Sequence, residues 1–225
     1  GTVGAQGLGM DVAIYDDEGK EVEVGEGHLV CRKPFPSMTR GFLGEPERFL
    51  ENYFSRWSGV WWHKDRVKRD EDGLWYVLGR DDDVIVVGGV KFDPSKIEGA
   101  LMEYKGYPRV VEAAAIGVTD PLKGQHIVCF VTIEGQAPAD AAELDEFIDS
   151  LQRIVQERYD RMARPEEIYI VDVLPKNLAA KIPRKMIRRA YEGEDLDDVS
   201  KIDNLQAFDI IMSIGEEQRK QKGES

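Results

Sequence analysis

Residues 79–98 read GRDDDVIVVGGVKFDPSKIE, and this stretch decides the fold of the second half of the chain. Two short β-branched runs flank Gly88-Gly89, a pattern that predicts a small β-hairpin. Asp93-Pro94 then predicts the start of a helix, because Asp caps helix N-termini and Pro fits the first turn. The sequence is mainly β-like before this stretch and mixed after it, which indicates a domain boundary near residue 80.

Downstream of the hairpin, helical and strand-like periodicities follow one another. The predicted elements are helices over 93–104, 144–155 and 182–191 and strands over 110–118, 127–133 and 167–173. This order predicts a compact α+β domain over residues 80–191, in which helices flank a central sheet. We expect residues 192–225 to form a polar tail with one apolar helical stretch around 205–214.

Upstream of residue 80 the sequence is mostly β-like. Strands are expected at 11–15, 28–33, from 61 and at 74–78, and one helix is expected from 45. Residues 1–79 are too few, with too few core positions, to predict an independent domain. The chain opens with the loop-like run GTVGAQGLGM rather than with Met, and we expect its natural N-terminal part to be missing.

Composition excludes several classes of protein. Of the 225 residues, 42% are hydrophobic and 32% are charged, which is typical of a globular protein. The net charge of −13 disfavours nucleic acid as a partner, and no apolar run approaches the ~18–20 residues of a membrane span. Two cysteines without a CxxC pattern and three scattered histidines argue against a disulfide scaffold and against a metal site. Without a signal peptide, the expected compartment is the cytoplasm.

Two acidic positions and one arginine have side chains that suit a nucleotide. Asp65 is either a surface carboxylate or an acceptor for vicinal ribose hydroxyls. Arg80 is either part of a charged turn or a ligand of ribose or phosphate, since its planar fork matches both groups. Asp82 beside it is a candidate pivot for a domain rotation, because hinges are a few residues at element ends.

Residues 175–189, PKNLAAKIPRKMIRR, form the one basic segment of this acidic chain. Its cations are Lys176, Lys181, Arg184, Lys185, Arg188 and Arg189. They fit a solvated helix face, an RNA contact, or a loop lysine that neutralises phosphate and carboxylate oxygens in an active site.

Several of these motifs recur in one order in a known family. They are Asp65, Gly79-Arg80-x-Asp82-Asp83, Val87-Gly88-Gly89, Ile97-Glu98, and Leu174-Pro175-Lys176 through Lys181-Ile182 to Arg188-Arg189. The order and spacing resemble the C-terminal third of adenylate-forming enzymes, the superfamily of acyl-CoA synthetases, adenylation domains and luciferases. Segments 44–56, 69–73 and 193–196 are typical of AMP-forming acetyl-CoA synthetases, and the resemblance covers nearly the whole chain.

The resemblance implies an ATP-dependent ligase that converts acetate or a short-chain acid and coenzyme A to acyl-CoA, AMP and pyrophosphate. It implies two half-reactions separated by a rotation of the C-terminal domain. The implied roles are Lys181 as catalytic lysine of adenylation, Asp65 and Arg80 as ribose ligands, Lys91 as phosphate ligand, Asp82 as hinge, and Gly88 and Gly89 as lining of the coenzyme A tunnel. Residues 1–79 would then be the β-rich edge of a large AMP-binding N-terminal domain, and 80–191 the mobile C-terminal domain.

The chain departs from the family pattern at four places. His63-Lys64 stands where the family has Thr-Gly, Lys91 where acetyl-CoA synthetases have Arg, and Ala180 where the family has Gly. Gln156 stands where an arginine contacts coenzyme A, with Arg153 and Arg158 nearby.

The phosphate loop and the adenine and magnesium motif of the family do not occur in this sequence. We therefore expect that this fragment alone does not adenylate, and that Mg²⁺ is bound mainly through the missing N-terminal domain. The expected partners are small molecules (ATP, the carboxylic acid and coenzyme A) together with that domain, and no membrane. The alternatives are a medium-chain acyl-CoA synthetase or another adenylate-forming ligase, and a non-enzymatic module that binds RNA or a protein partner.

Overall fold

The computed structural model describes residues 1–196 and 198–223. The chain divides into two compact units, which we call the first unit (Gly1–Asp82) and the second unit (Asp83–Ser225). Each has apolar clusters of its own, so each is described by itself.

The first unit is built on an antiparallel sheet. Its strands are β1 (Val12–Tyr15), β2 (Gly25–Cys31), β3 (Trp61–Arg69) and β4 (Trp75–Arg80), paired in that order, and the helix α1 (Pro46–Phe54) precedes β3. Phe49 and Tyr53 of α1 pack on Trp61, with the rings of Tyr53 and Trp61 stacked at 4.2 Å. Aromatic side chains therefore attach the helix to the sheet, because such pairs contribute beyond the area that they bury.

The second unit has a five-stranded sheet and four α-helices in the described residues. The strands are β5 (Ile85–Val87), β6 (Val90–Phe92), β7 (Arg109–Asp120), β8 (Gly124–Glu134) and β9 (Glu167–Ile170), and the helices are α2 (Pro94–Met102), α3 (Ala141–Arg158), α4 (Arg184–Glu192) and α5 (Ala207–Lys222). The sheet order is β6-β5-β8-β7, and β9 pairs with β8 as its parallel neighbour. Among the described residues, no helix combines the length and the apolarity needed to cross a membrane.

Helices cover both faces of this second sheet. Ala113 of β7 and Cys129 of β8 belong to the cluster formed with α2 and α3, whereas Ala114 and Phe130 belong to the cluster formed with α4 and α5. Neighbouring residues thus face opposite helix pairs, which explains the uninterrupted apolar runs of β7 and β8. The predicted α+β class, with a central sheet flanked by helices, is confirmed.

The apolar helical stretch expected around 205–214 lies in a longer helix of the C-terminal segment. Residues 207–222 form α5, which places Phe208 and Ile211 in the same core cluster as Ile187 of α4. A Cβ at Gly215 would overlap the Tyr191 carbonyl, so a glycine is required where α5 meets α4. The apolar face of α5 covers part of the sheet face beside α4, which would otherwise be exposed to solvent.

Glu167 of β9 connects three elements of the second unit. Its carboxylate accepts from the Tyr169 hydroxyl at 2.7 Å, from the Lys222 ammonium at 3.0 Å and from the Tyr191 hydroxyl, and His126 Nε2 lies 3.7 Å away. Burial raises the pKa of Glu167, but these hydrogen-bonding neighbours outweigh it and hold the pKa well below its ordinary value. The carboxylate therefore stabilises the packing of α4 and α5 more strongly when it is ionised.

Candidate functional site

The two residues proposed to contact ribose lie on paired strands of the first unit, Asp65 in the middle of β3 and Arg80 at the end of β4. The β3–β4 register places Asp65 opposite Arg80. Arg80 Nη1 lies 3.4 Å from Asp65 Oδ1, and Arg80 Nε donates to Asp82 Oδ1 at 2.9 Å. Asp65 Oδ2 is also 2.7 Å from His63 Nδ1. A carboxylate beside a planar guanidinium can accept from and donate to neighbouring hydroxyls, so this arrangement has the chemistry of a ribose site.

Lys64 turns the backbone immediately before Asp65. Its φ is +65°, in the left-handed region that favours glycine. The Lys64 carbonyl accepts from the Asp81 amide at 2.9 Å, and its ammonium donates to Asn52 Oδ1 at 3.1 Å. These contacts offset the backbone strain and fix the position of Asp65.

Asp81 lies between Arg80 and Asp82 and is far more enclosed than Asp82. Its side chain is 8% exposed, and Oδ2 accepts from His28 Nδ1 at 2.7 Å and from Trp62 Nε1 at 3.0 Å. Burial raises the pKa of Asp81, but the His28 and Trp62 contacts and the charges of His28 and Arg66 outweigh it, so the pKa lies below its ordinary value. Sequence reasoning missed this acid, because its partner His28 is 53 positions away.

The predicted hairpin is present in the second unit. Gly88 and Gly89 have φ of +56° and +85° and connect Val87 to Val90, as a tight turn with two left-handed residues requires. Open space surrounds the Cβ position of Gly89. Lys91 follows on β6 and is exposed.

Lys181 ends a tightly closed loop in the second unit. Asn177 N donates to the Lys181 carbonyl at 2.9 Å, and Asn177 Oδ1 accepts from Ala179 N at 3.0 Å and from Lys181 N at 2.9 Å. Ala180 N donates to the Asn177 carbonyl at 2.8 Å, and Ala180 has φ +57°. The loop backbone is thus fixed while the Lys181 side chain is exposed. Within the described residues the Lys181 ammonium has no carboxylate partner.

Most cations of the basic segment are already paired with acids. Lys176 contacts Glu112, Arg184 contacts Glu98 and Asp83, Arg188 contacts Glu192, and Arg189 contacts Glu194. This pairing offsets most of the positive charge of the segment. Near Gln156, Arg153 pairs with Asp149 and Arg158 with Glu103.

Arg184 anchors the start of α4, three residues after Lys181. Its Nε and Nη2 donate to the two oxygens of Glu98 at 2.7 and 2.6 Å, and its Nη1 donates to Asp83 at 3.1 Å. The Glu98 hydrogen bonds and charge raise the pKa of Arg184 above its ordinary value. Glu98 also accepts from the backbone amide of Ala115 at 3.0 Å, so one buried carboxylate connects α2, β7 and α4.

Known proteins with similar sequences have been found for most of this chain. The profile of the AMP-binding enzyme C-terminal domain matches residues 96–181. The acetyl-coenzyme A synthetase of Streptomyces avermitilis is 38% identical over 206 residues, which are 91% of this chain and 31% of that protein. Residues 96–181 are therefore similar to the AMP-binding enzyme C-terminal domain.

Further relatives extend the match over most of the chain. The acetyl-coenzyme A synthetase of Rubrobacter xylanophilus is 38% identical over 210 residues, 93% of this chain and 31% of that protein. The solved acetoacetyl-CoA synthetase from Streptomyces lividans has a TM-score of 0.81 and 26% identity, and covers 97% of this chain and 32% of its own. The resemblance to the C-terminal part of adenylate-forming enzymes is confirmed, and the chain spans about 31% of the length of the curated relatives.

Two departures from the AMP-binding enzyme pattern coincide with the backbone geometry. Lys64 and Ala180 are the non-glycine residues with positive φ in the described part of the chain. Both are positions where the resemblance implies glycine. At both positions a residue with a Cβ adopts the left-handed conformation that glycine adopts at least cost.

Proposed function

We propose that the chain is the C-terminal part of an AMP-forming acyl-CoA synthetase that activates acetate or another short-chain acid with ATP and transfers the acyl group to coenzyme A. The observation that carries this proposal is Lys181, an exposed lysine that ends a rigid loop and has no carboxylate partner among the described residues. A compact ammonium on a long stem suits the phosphate and carboxylate oxygens that gain charge during adenylation. Relatives named acetyl-coenzyme A synthetase support acetate as the acid.

Within this proposal each predicted site residue has one role. Lys181 contacts the reacting oxygens, and Asp65 and Arg80 bind the ribose hydroxyls of ATP. Lys91 contacts phosphate, and Gly88 and Gly89 admit the pantetheine arm of coenzyme A because they carry no side chains. Asp82 is the hinge about which the C-terminal domain rotates between adenylation and thioester formation.

The proposed domain arrangement assigns residues 1–79 to the edge of a larger AMP-binding domain and 80–191 to the mobile domain. ATP and coenzyme A are the proposed cosubstrates. The Mg²⁺ that accompanies ATP is proposed to be held by residues outside this chain, and the cytoplasm is the proposed compartment. A medium-chain acid, or a thiol other than that of coenzyme A, is the alternative reading of the same site.

The test compares Lys181→Ala with Lys185→Ala in the longer enzyme that the proposal implies. Lys185 is a matched control, because it is also exposed and has no carboxylate partner among the described residues. We expect Lys181→Ala to lower acetate-dependent exchange of pyrophosphate into ATP by about 10²–10³-fold, the effect of losing one electrostatic stabiliser. Thioester formation from preformed acetyl-adenylate should change little, because the lysine serves only the first half-reaction.

Residues 1–225 alone provide the baseline of this experiment, and we expect no exchange from them. Equal loss of both half-reactions in Lys181→Ala, or an equal effect of Lys185→Ala, would contradict the assigned role. Exchange with hexanoate or octanoate in place of acetate would favour the medium-chain alternative.

A further inference from the structure

Side-chain exposure rises sharply between Asp81 and the next residue, Asp82, which is the proposed hinge. The Asp81 side chain is 8% exposed, whereas that of Asp82 is 46% exposed. Asp81 is attached to three strands, through its amide to Lys64 of β3, through its carboxylate to Trp62 of β3 and His28 of β2, and through the chain to β4. Asp82, in contrast, is held by the side chain of its neighbour Arg80.

His28 is the innermost part of this anchor. It is 3% exposed, and its two ring nitrogens face two carboxylates, Asp81 at 2.7 Å from Nδ1 and Asp17 at 3.0 Å from Nε2. The Trp57 and Trp62 rings pack around the imidazole, with centroids at 5.6 and 6.3 Å. An ionised carboxylate can only accept a hydrogen bond, so in the 2.7 Å contact the Nδ1–H of His28 donates to Asp81.

We propose that His28 is a positioning residue, which by holding Asp81 fixes the end of β4, keeps Arg80 opposite Asp65, and makes Asp82 the first residue free to rotate. This inference rests on the proposed function for the roles of Arg80, Asp65 and Asp82. It adds a residue from β2 that contacts none of the substrates. Asp65 lies on β3 and Arg80 on β4. A small displacement of the end of β4 therefore changes the distance between these two proposed ribose ligands.

The first experiment uses the chain of residues 1–225 and needs no substrate. In NMR spectra we expect a His28 Nδ1–H signal that is protected from solvent exchange, that disappears in Asp81→Asn and that persists in Asp17→Asn. Asp17 is the matched control, because it contacts the same imidazole while its side chain is 52% exposed. An unprotected Nδ1–H, or its equal loss in both variants, would overturn the assignment.

Amide exchange then measures the effect on the turn. In His28→Gln we expect the Asp81 amide, which donates to the Lys64 carbonyl, to exchange about tenfold faster relative to the Val22 amide, which donates to the Ile14 carbonyl of β1. Asp81→Asn should give the same local change, and the double variant should add nothing, since both remove one interaction. Additive effects, or uniform loss of protection across the sheet, would reduce His28 to an ordinary stabilising residue and contradict the proposal.

In the longer enzyme, His28→Gln should raise the KM for ATP about fivefold with a smaller change in kcat, because the ribose ligands would be misplaced. Asp17→Asn should change neither constant. A lower kcat at unchanged KM would overturn the positioning role. If the enzyme shows no ATP-dependent reaction, the proposed function fails while the NMR and exchange results still decide the anchoring of Asp81.

Discussion

Ala180→Gly is expected to stabilise the chain although it removes a methyl group. Ala180 has φ +57°, and a residue with a Cβ costs roughly 1–2 kcal/mol more there than glycine does. Glycine also raises the entropy of the unfolded chain, which cancels about 0.4–1 kcal/mol of this stabilisation. Because Ala180 is exposed, the lost methyl group removes little burial. The net expectation is a free energy of unfolding about 0.5–1 kcal/mol higher, or a Tm roughly 1–4 °C higher.

The assay is urea and thermal unfolding of residues 1–225, followed by circular dichroism. Ala179→Gly is the matched control, since it makes the same change one residue earlier, where φ is not positive. At position 179 glycine only raises the entropy of the unfolded chain. The free energy of unfolding is therefore expected to fall by about 0.4–1 kcal/mol. If Ala180→Gly proves no more stable than Ala179→Gly, the strain argument for this loop is refuted.

Two further predictions concern carboxylates of the second unit, the half-buried Glu167 and the buried Glu98. The folded pKa of Glu167 lies below its ordinary value of 4.5, so its contribution is complete above that pH and is lost as the pH falls through the folded pKa. Glu167→Gln should therefore lower the free energy of unfolding at pH 7 by about 1–3 kcal/mol and flatten its decline below pH 4.5, measured by urea titrations across pH. Glu98→Gln keeps an acceptor for the Ala115 amide but removes the charge facing Arg184, and should cost about 3 kcal/mol in urea unfolding. Glu103→Gln, which breaks an exposed pair, should cost less than about 1 kcal/mol, and equal losses would contradict the importance of burial.

Local pattern was enough to predict the hairpin around Gly88-Gly89, the paired strands β7 and β8, and α3. Each of these follows from residues within a few positions of one another, through turn chemistry or periodicity. The packing position of α5 could not be predicted in this way, because the surface that its apolar face covers forms only when the sheet and α4 come together.

Side-chain networks were harder to predict than elements. Arg184 contacts Glu98 across 86 positions, and His28 contacts Asp81 across 53, distances at which sequence spacing carries no geometric information. Arg80 and Asp65 were identified together only because they belong to one recurring motif order. The contacts that position the residues of the candidate site could therefore be identified only from the structure.

Strand β7 lies at the edge of the second sheet, and an open edge is a template on which another chain can add a strand. Two of its amides, those of Ala115 and Thr119, instead donate to the side chains of Glu98 and Glu192. These carboxylates occupy donors that an incoming strand would need. Here α2 and α4 supply the side chains that occupy these donors, so a neighbouring chain meets fewer free amides along β7. Protection against aggregation is therefore built into the same carboxylate that orients Arg184.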